Sequence, residues 1–232
     1  MAGHRCHPPL DRGDRLRDRE IVQRADRYGG RGRRAVRLLL ASKSEARRAM
    51  LDAAGIAFEP VEAEIDEAAA KAGLEGAGFD PRGIAEELAQ LKALSVAQAE
   101  GALVLGSDQT LEAADGTMLS KPTSRAEALE QLRFLAGRTH HLHSAAVIAE
   151  AGEAAWWHCE TVEMTMRPLS DAFLETYLDA EYEAIRWSVG GYRIEGPGIQ
   201  LFDRIQGSHF AILGMPLLPL LSYLRERGLI AR

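Results

Sequence analysis

Val36-Arg37-Leu38-Leu39-Leu40-Ala41-Ser42-Lys43-Ser44-Glu45 is the stretch on which the fold turns. The apolar run to Ala41 has the length and composition of a short buried strand. Two serines then break it, and a helical pattern runs from Glu45 to Ala54 before Gly55. Ser44 can accept hydrogen bonds from the free N–H groups of the first helical turn, and Gly55 can take the left-handed turn that ends a helix. A strand feeding directly into a helix is the opening of an α/β domain.

The pattern continues in both element types downstream. Ile56 to Ala63 reads as a second strand, with Pro60 marking it as an edge or irregular one. Asp80-Pro81 starts a helix in which Ile84, Leu88, Leu91 and Ser95 fall at helical spacing. Ala102-Leu103-Val104-Leu105 is a buried strand ending at Gly106-Ser107-Asp108, and Asp115-Gly116 makes a turn. Ser124 and Glu127 form a capping box for a helix to about Leu135. Strand-like segments follow at His140 to Ile148 and Ala155 to Arg167, around a turn at Gly152. Next come a helix from Ser170 to Leu178, a loop with Gly190, Gly191, Gly196 and Gly198, a strand near Ile199 to Ile205, and a helix from Leu217 to Arg227. Strands and helices alternate without repeats, so the class is α/β; periodicity alone allows a parallel or a mixed sheet.

Upstream of Val36 the composition changes. Residues 1–37 hold eleven arginines against five acids, a local balance of +6, and the whole chain is at −6, leaving −12 for the remainder. We read residues 1–35 as a basic disordered extension and residues 36–232 as a single domain. The acidic body argues against nucleic acid as a partner, because phosphate contacts supply most of that affinity. No apolar run approaches the roughly 18–20 residues that span a bilayer, so no membrane partner is expected. Two cysteines, Cys6 and Cys159, are compatible with a reducing, cytoplasmic address. His4, Cys6 and His7 have no matching second pair of metal ligands.

Several residues could carry chemistry. Ser42 and Ser44 sit at a helix N-terminus, whose free N–H groups and partial positive charge suit a phosphate. Arg47 and Arg48 lie in that first turn, where a cation is unfavourable unless an anion is near. Asp108 lies beyond a buried strand, where a carboxylate can hold a divalent cation or accept a proton from water. Glu62, Glu64, Asp66 and Glu67 form an acidic cluster of the kind that holds Mg²⁺ or is simply solvated. Lys92 and Lys121 add cations, the second stiffened by Pro122. His141 and His143 share a strand face but lack a third zinc ligand, so a structural or surface role is preferred.

In chain order these segments resemble the Maf family of nucleoside triphosphate pyrophosphatases. The resemblance is carried by Leu40-Ala41-Ser42-Lys43-Ser44 with Arg47, Ala63-Glu64-Ile65-Asp66-Glu67, Leu88-Ala89-Gln90-Leu91-Lys92-Ala93 and Gly106-Ser107-Asp108. It continues through Ser120-Lys121-Pro122, Gly137-Arg138-Thr139-His140, Gly190-Gly191-Tyr192 to Glu195-Gly196, and Leu213-Gly214-Met215-Pro216-Leu217. It implies a mixed twisted sheet in two lobes with a nucleotide cleft between them, a homodimer, and Mg²⁺ or Mn²⁺. It implies cleavage of a nucleoside triphosphate between its α- and β-phosphates. Asp108 would activate water and hold metal, Glu67 would share the metal, and Lys121 would assist. Ser42, Ser44, Arg47 and Lys92 would bind the triphosphate.

Three positions depart from the commonest family pattern. Ala46 stands where many members have arginine and one branch has tryptophan, Gln109 where threonine is frequent, and Glu195 where glutamine is frequent. Gln109 and Glu195 resemble the branch that prefers 7-methyl-GTP, and a carboxylate suits the N–H groups of a guanine edge. A rival reading is a nucleotide-binding regulator of cell division that does not hydrolyse. The presence of Asp108, Glu67 and Lys121 counts against it.

Overall fold

The computed structural model describes residues 36–96 and 101–231; the basic head, with His4, Cys6 and His7, lies outside the described residues. Residues Val36–Ile230 form one compact unit. Its strands are β1 (Arg37–Ala41), β2 (Glu59–Val61), β3 (Ala102–Glu112), β4 (Met118–Leu119), β5 (Thr139–Glu150), β6 (Glu153–Met166) and β7 (Phe202–Gln206). Its helices are α1 (Glu45–Ala53), α2 (Glu67–Gly76), α3 (Pro81–Val96), α4 (Arg125–Leu135), α5 (Asp171–Ile185), α6 (His209–Ile212) and α7 (Leu217–Glu226).

The class is α/β with a seven-stranded mixed sheet in the order β2-β1-β3-β5-β6-β7, and β4 pairs with β3. Strand β1 runs parallel to β2 and β3, whereas the pairs β3–β5, β5–β6 and β6–β7 are antiparallel. Strands β5 and β6 join through Ala151 and Gly152, both at positive φ, the twist a two-residue hairpin requires.

The long strands β3 and β5 carry three core regions. Toward one end Leu38, Leu40, Leu103 and Leu105 meet Met50, Leu51, Leu217 and Leu220 from α1 and α7. On the opposite face Leu39, Ala41, Val104 and Val147 meet Ala85, Ala89 and Ala93 of α3. Toward the other end Leu111, Leu142, Val162 and Met164 pack with Leu132 of α4 and Leu174 and Leu178 of α5. Strand β3 passes through all three regions, so its middle residues lie at the junction of two lobes.

Four readings of the sequence are revised. Strand β3 does not end at Gly106; it continues to Glu112, paired with β5 throughout, so Asp108 is a mid-strand residue. The apolar pattern stops at Gly106 because α3 presses there on bare backbone: an added Cβ would lie 2.1 Å from the Ala89 carbonyl oxygen. Second, a helix stands where the sequence pattern indicated none: Asp66 of the acidic cluster caps α2 by accepting from Ala69 N at 3.0 Å, and Glu67 is its first residue. Third, the buried stripe of α3 is Ile84, Ala85, Leu88, Ala89, Lys92 and Ala93, while Leu91 is exposed. The capping box of α4 is also only half formed: Ser124 accepts from Glu127 N, but the Glu127 carboxylate turns to Thr123.

Candidate functional site

Beyond Ala41 the edge of β3 is uncovered by β1 until β4 pairs at Leu111, and the polar residues collect at this gap. Side chains alternate along a strand, so Gly106, Asp108 and Thr110 face α3 while Ser107 and Gln109 face the other way. Lys92 lies in the otherwise apolar stripe of α3, buried to 5 % exposure. Its ammonium donates to Asp108 Oδ1 at 2.7 Å and lies 2.9 Å from Glu67 Oε2. One buried cation therefore joins the carboxylate of β3 to the carboxylate that opens α2. Stripping water from Lys92 is costly, and these two partners offset the cost.

Ser42 and Arg47 build the neighbouring wall. Ser42 Oγ accepts from Ser44 N at 3.2 Å and from an Arg47 guanidinium nitrogen at 3.3 Å. Ser44 Oγ accepts from Arg47 N at 3.4 Å, capping α1 as its place in the sequence predicts. Arg48 donates to the Ser42 carbonyl at 3.3 Å. Arg47 is buried, and its Nε donates to the Gly214 carbonyl at 2.8 Å. Burial pulls the Arg47 guanidinium below its usual range, while Asp108 and Glu67 act in the opposite sense. It stays charged, because an arginine so placed has no accessible neutral form.

Glu67 feels the whole cluster. Burial raises its carboxyl pKa, but the charge and hydrogen bond of Lys92, with the charges of Lys121 and Arg47, outweigh that and hold it below the usual range. Lys121 is exposed on the segment after β4. Arg47, Lys92 and Lys121 thus surround two carboxylates, a cationic surplus that suits an anion carrying several charges.

Strand β3 also holds this wall from behind. Ser107, fully buried, directs its hydroxyl at the carbonyls of Ala145 and Gly214, at 2.8 and 3.1 Å. Gln109 Nε2 donates to Ser144 Oγ at 2.8 Å and to the carbonyls of Ala211 and Ile212 at 2.8 and 3.1 Å. The segment from α6 to Gly214 is therefore clamped to β3, and Gly214 in turn positions Arg47. Neither Ser107 nor Gly214 stands out as a site residue in the sequence, because both act through or upon a backbone carbonyl.

The remaining candidates lie elsewhere. Ala46 is half-buried on α1 beside Arg47. Glu195 is exposed on the loop before the turn Pro197–Leu201, where its charge adds slightly to the burial and the Glu181 charge that raise the Tyr177 hydroxyl pKa. His141 and His143 stack at 6.3 Å, but both ring nitrogens of His143 are engaged, by Glu112 Oε2 at 2.8 Å and Thr161 Oγ1 at 2.9 Å. No group of three or more His, Cys, Asp or Glu among the described residues could hold a metal without other ligands.

The sequence profile of Maf-like proteins matches residues 37–227. The nucleoside triphosphate pyrophosphatase of Sphingopyxis alaskensis is 49 % identical over 193 residues, covering 83 % of this chain and 98 % of that protein. The 7-methyl-GTP pyrophosphatase of Rhizobium meliloti is 50 % identical over 195 residues, covering 83 % and 97 %. The nucleoside triphosphate pyrophosphatase of Caulobacter vibrioides is 47 % identical over 189 residues, covering 82 % and 94 %.

Proposed function

This chain belongs to the family of Maf-like proteins, and from that premise we propose how its site works as a nucleoside triphosphate pyrophosphatase. The reaction is hydrolysis of the bond between the α- and β-phosphates, giving a monophosphate and pyrophosphate. Phosphoryl transfer demands mainly positioning and neutralisation of charge. The observation that carries the reading is Lys92, buried and bridging Asp108 to Glu67 beside Arg47.

Asp108 accepts the proton of the attacking water as oxygen bonds to the α-phosphorus, and the bond to the bridging oxygen breaks with its electrons leaving on pyrophosphate. Ser42, Ser44 and Arg47, at the N-terminus of α1, bind the phosphate chain, and Lys121 approaches it from the opposite lobe. Lys92 holds Asp108 and Glu67 in register. Two carboxylates completed by phosphate oxygens and water match the way Mg²⁺ or Mn²⁺ is usually held at nucleotide sites, so Asp108 and Glu67 fit such an ion. When bound, the ion supplies neutralisation of the developing phosphate charge.

For the base we propose a modified purine, 7-methyl-GTP being the first to try. Glu195 is an exposed acceptor suited to guanine N–H groups. Gln109 contributes indirectly, by bracing the segment that holds Arg47. The setting proposed is a house-cleaning role in the cytoplasm. No helix among the described residues is long and apolar enough to cross a membrane.

The test is pyrophosphate release from a nucleotide panel with Mg²⁺, including 7-methyl-GTP, GTP, dTTP and UTP. Turnover of at least one member is expected, and Asp108→Asn should lower kcat by at least about a thousandfold with the fold retained by circular dichroism, although the melting temperature falls because buried Lys92 keeps only Glu67 as an anionic partner. Full activity of that variant would remove Asp108 from the chemistry. Binding without turnover by the unaltered protein would favour the regulator reading.

A further inference from the structure

Helix α2 buries none of its residues. Hydrophobic packing normally holds a short helix in place, so α2 depends on polar ties. Among the described residues two side-chain ties reach from it to other elements. Glu67 meets Lys92 at 2.9 Å, and Lys71 Nζ donates to Ser120 Oγ at 2.7 Å. Glu67 and Lys71 are four residues apart and so share one face of the helix. That face spans the gap, with Glu67 against the α3 side and Lys71 against the segment Ser120-Lys121-Pro122. Lys71 forms no ion pair among the described residues; its partner is a neutral hydroxyl beside Lys121.

We propose that Lys71 is a further substrate-binding residue, which with Lys121 receives the β- and γ-phosphates and the pyrophosphate they become. This rests on the pyrophosphatase reading of the site. Exchanging the Ser120 hydroxyl for a phosphate oxygen replaces a neutral acceptor by an anionic one, and such charge-assisted bonds are roughly twice as strong. With Lys71 included, four cations face the two carboxylates Asp108 and Glu67. Helix α2 thereby places a carboxylate at one end of the phosphate chain and an ammonium at the other.

Titration calorimetry of the full chain with inorganic pyrophosphate and Mg²⁺ tests this. Lys71→Ala should weaken pyrophosphate binding about ten-fold, as the loss of one charged hydrogen bond does, and leave nucleoside monophosphate binding unchanged. Lys71→Arg should recover most of the affinity, and Ser120→Ala should stay within about twofold of the unaltered protein. In turnover, Lys71→Ala should raise KM more than it lowers kcat. Unchanged pyrophosphate binding in Lys71→Ala would overturn the proposal. So would an equal loss in Ser120→Ala, since Lys71 would then be only a latch for the helix. If the unaltered protein cleaves no nucleotide but Lys71→Ala still loses pyrophosphate, the enzymatic reading falls and the anion site stands.

Discussion

Arg47 was legible from the residues alone, because it stands in a first turn that disfavours cations. Lys92 was legible only as an added cation and through the family resemblance, since the stripe read for α3 ran through Leu91 and Ser95 instead; the structure brings both to Asp108. Ser107 and Gly214 were not legible, since a carbonyl that positions Arg47 could belong to any residue. His140 was a motif residue without an assigned role, and it proves to be a core residue. It is fully buried, bonds Tyr192 through Nε2 at 2.7 Å, and has its pKa pushed by burial, with help from His141, from 6.5 to about 4. Between these values the unfolded chain binds a proton that the folded one refuses. Stability is therefore full above about pH 6.5 and declines as the pH falls toward 4, by roughly 3 kcal/mol. Urea unfolding between pH 7 and 4.5 should show this slope, and His140→Phe should flatten it. An unchanged slope in that variant would remove His140 as its source.

Elements were legible where they bury an apolar face. Helix α2 escaped notice because none of its residues is buried and Leu74 is its only large apolar side chain. Strand β3 looked shorter than it is because its second half uses polar residues on both faces. Gly106 marks the change, and it is also where α3 comes closest. A methyl group there would lie 2.1 Å from Ala89 O and 2.5 Å from Ala93 N, both backbone atoms that yield only if the helix moves. Gly106→Ala should cost more than about 2 kcal/mol in a thermal or chemical melt. Because α3 also carries Lys92, the folded fraction should lose activity as well. A variant as stable and active as the parent would show that the helix has slack at this contact.

For the whole molecule, the alternation of elements made the α/β class legible, but strand order was not, since a period of two says nothing about which strands pair. The order leaves part of β6 without a second strand partner. Strand β7 pairs with β6 from Met166 back only to Glu163, so residues 153–161 have β5 as their sole strand partner among the described residues, with Arg82 of α3 reaching only the Cys159 carbonyl. Trp157 lies on this stretch and is two-thirds exposed. Bare edges invite pairing with another chain, and we expect a second copy of this protein to cover it. Sedimentation should give twice the chain mass, and Trp157→Glu should return the monomer; a parent protein already monomeric at micromolar concentration would exclude this.

The hydrogen bond from Arg47 to the Gly214 carbonyl spans 167 positions of the chain. During synthesis, which proceeds at about 5–20 residues per second, α1 and its serines emerge long before the residue that anchors their arginine. A nascent or C-terminally truncated chain can make the strand and helix at the start of the domain, but not the finished phosphate wall. The order of translation thus acts as a quality check, withholding the finished Arg47 anchor from every chain that has not been made as far as Gly214.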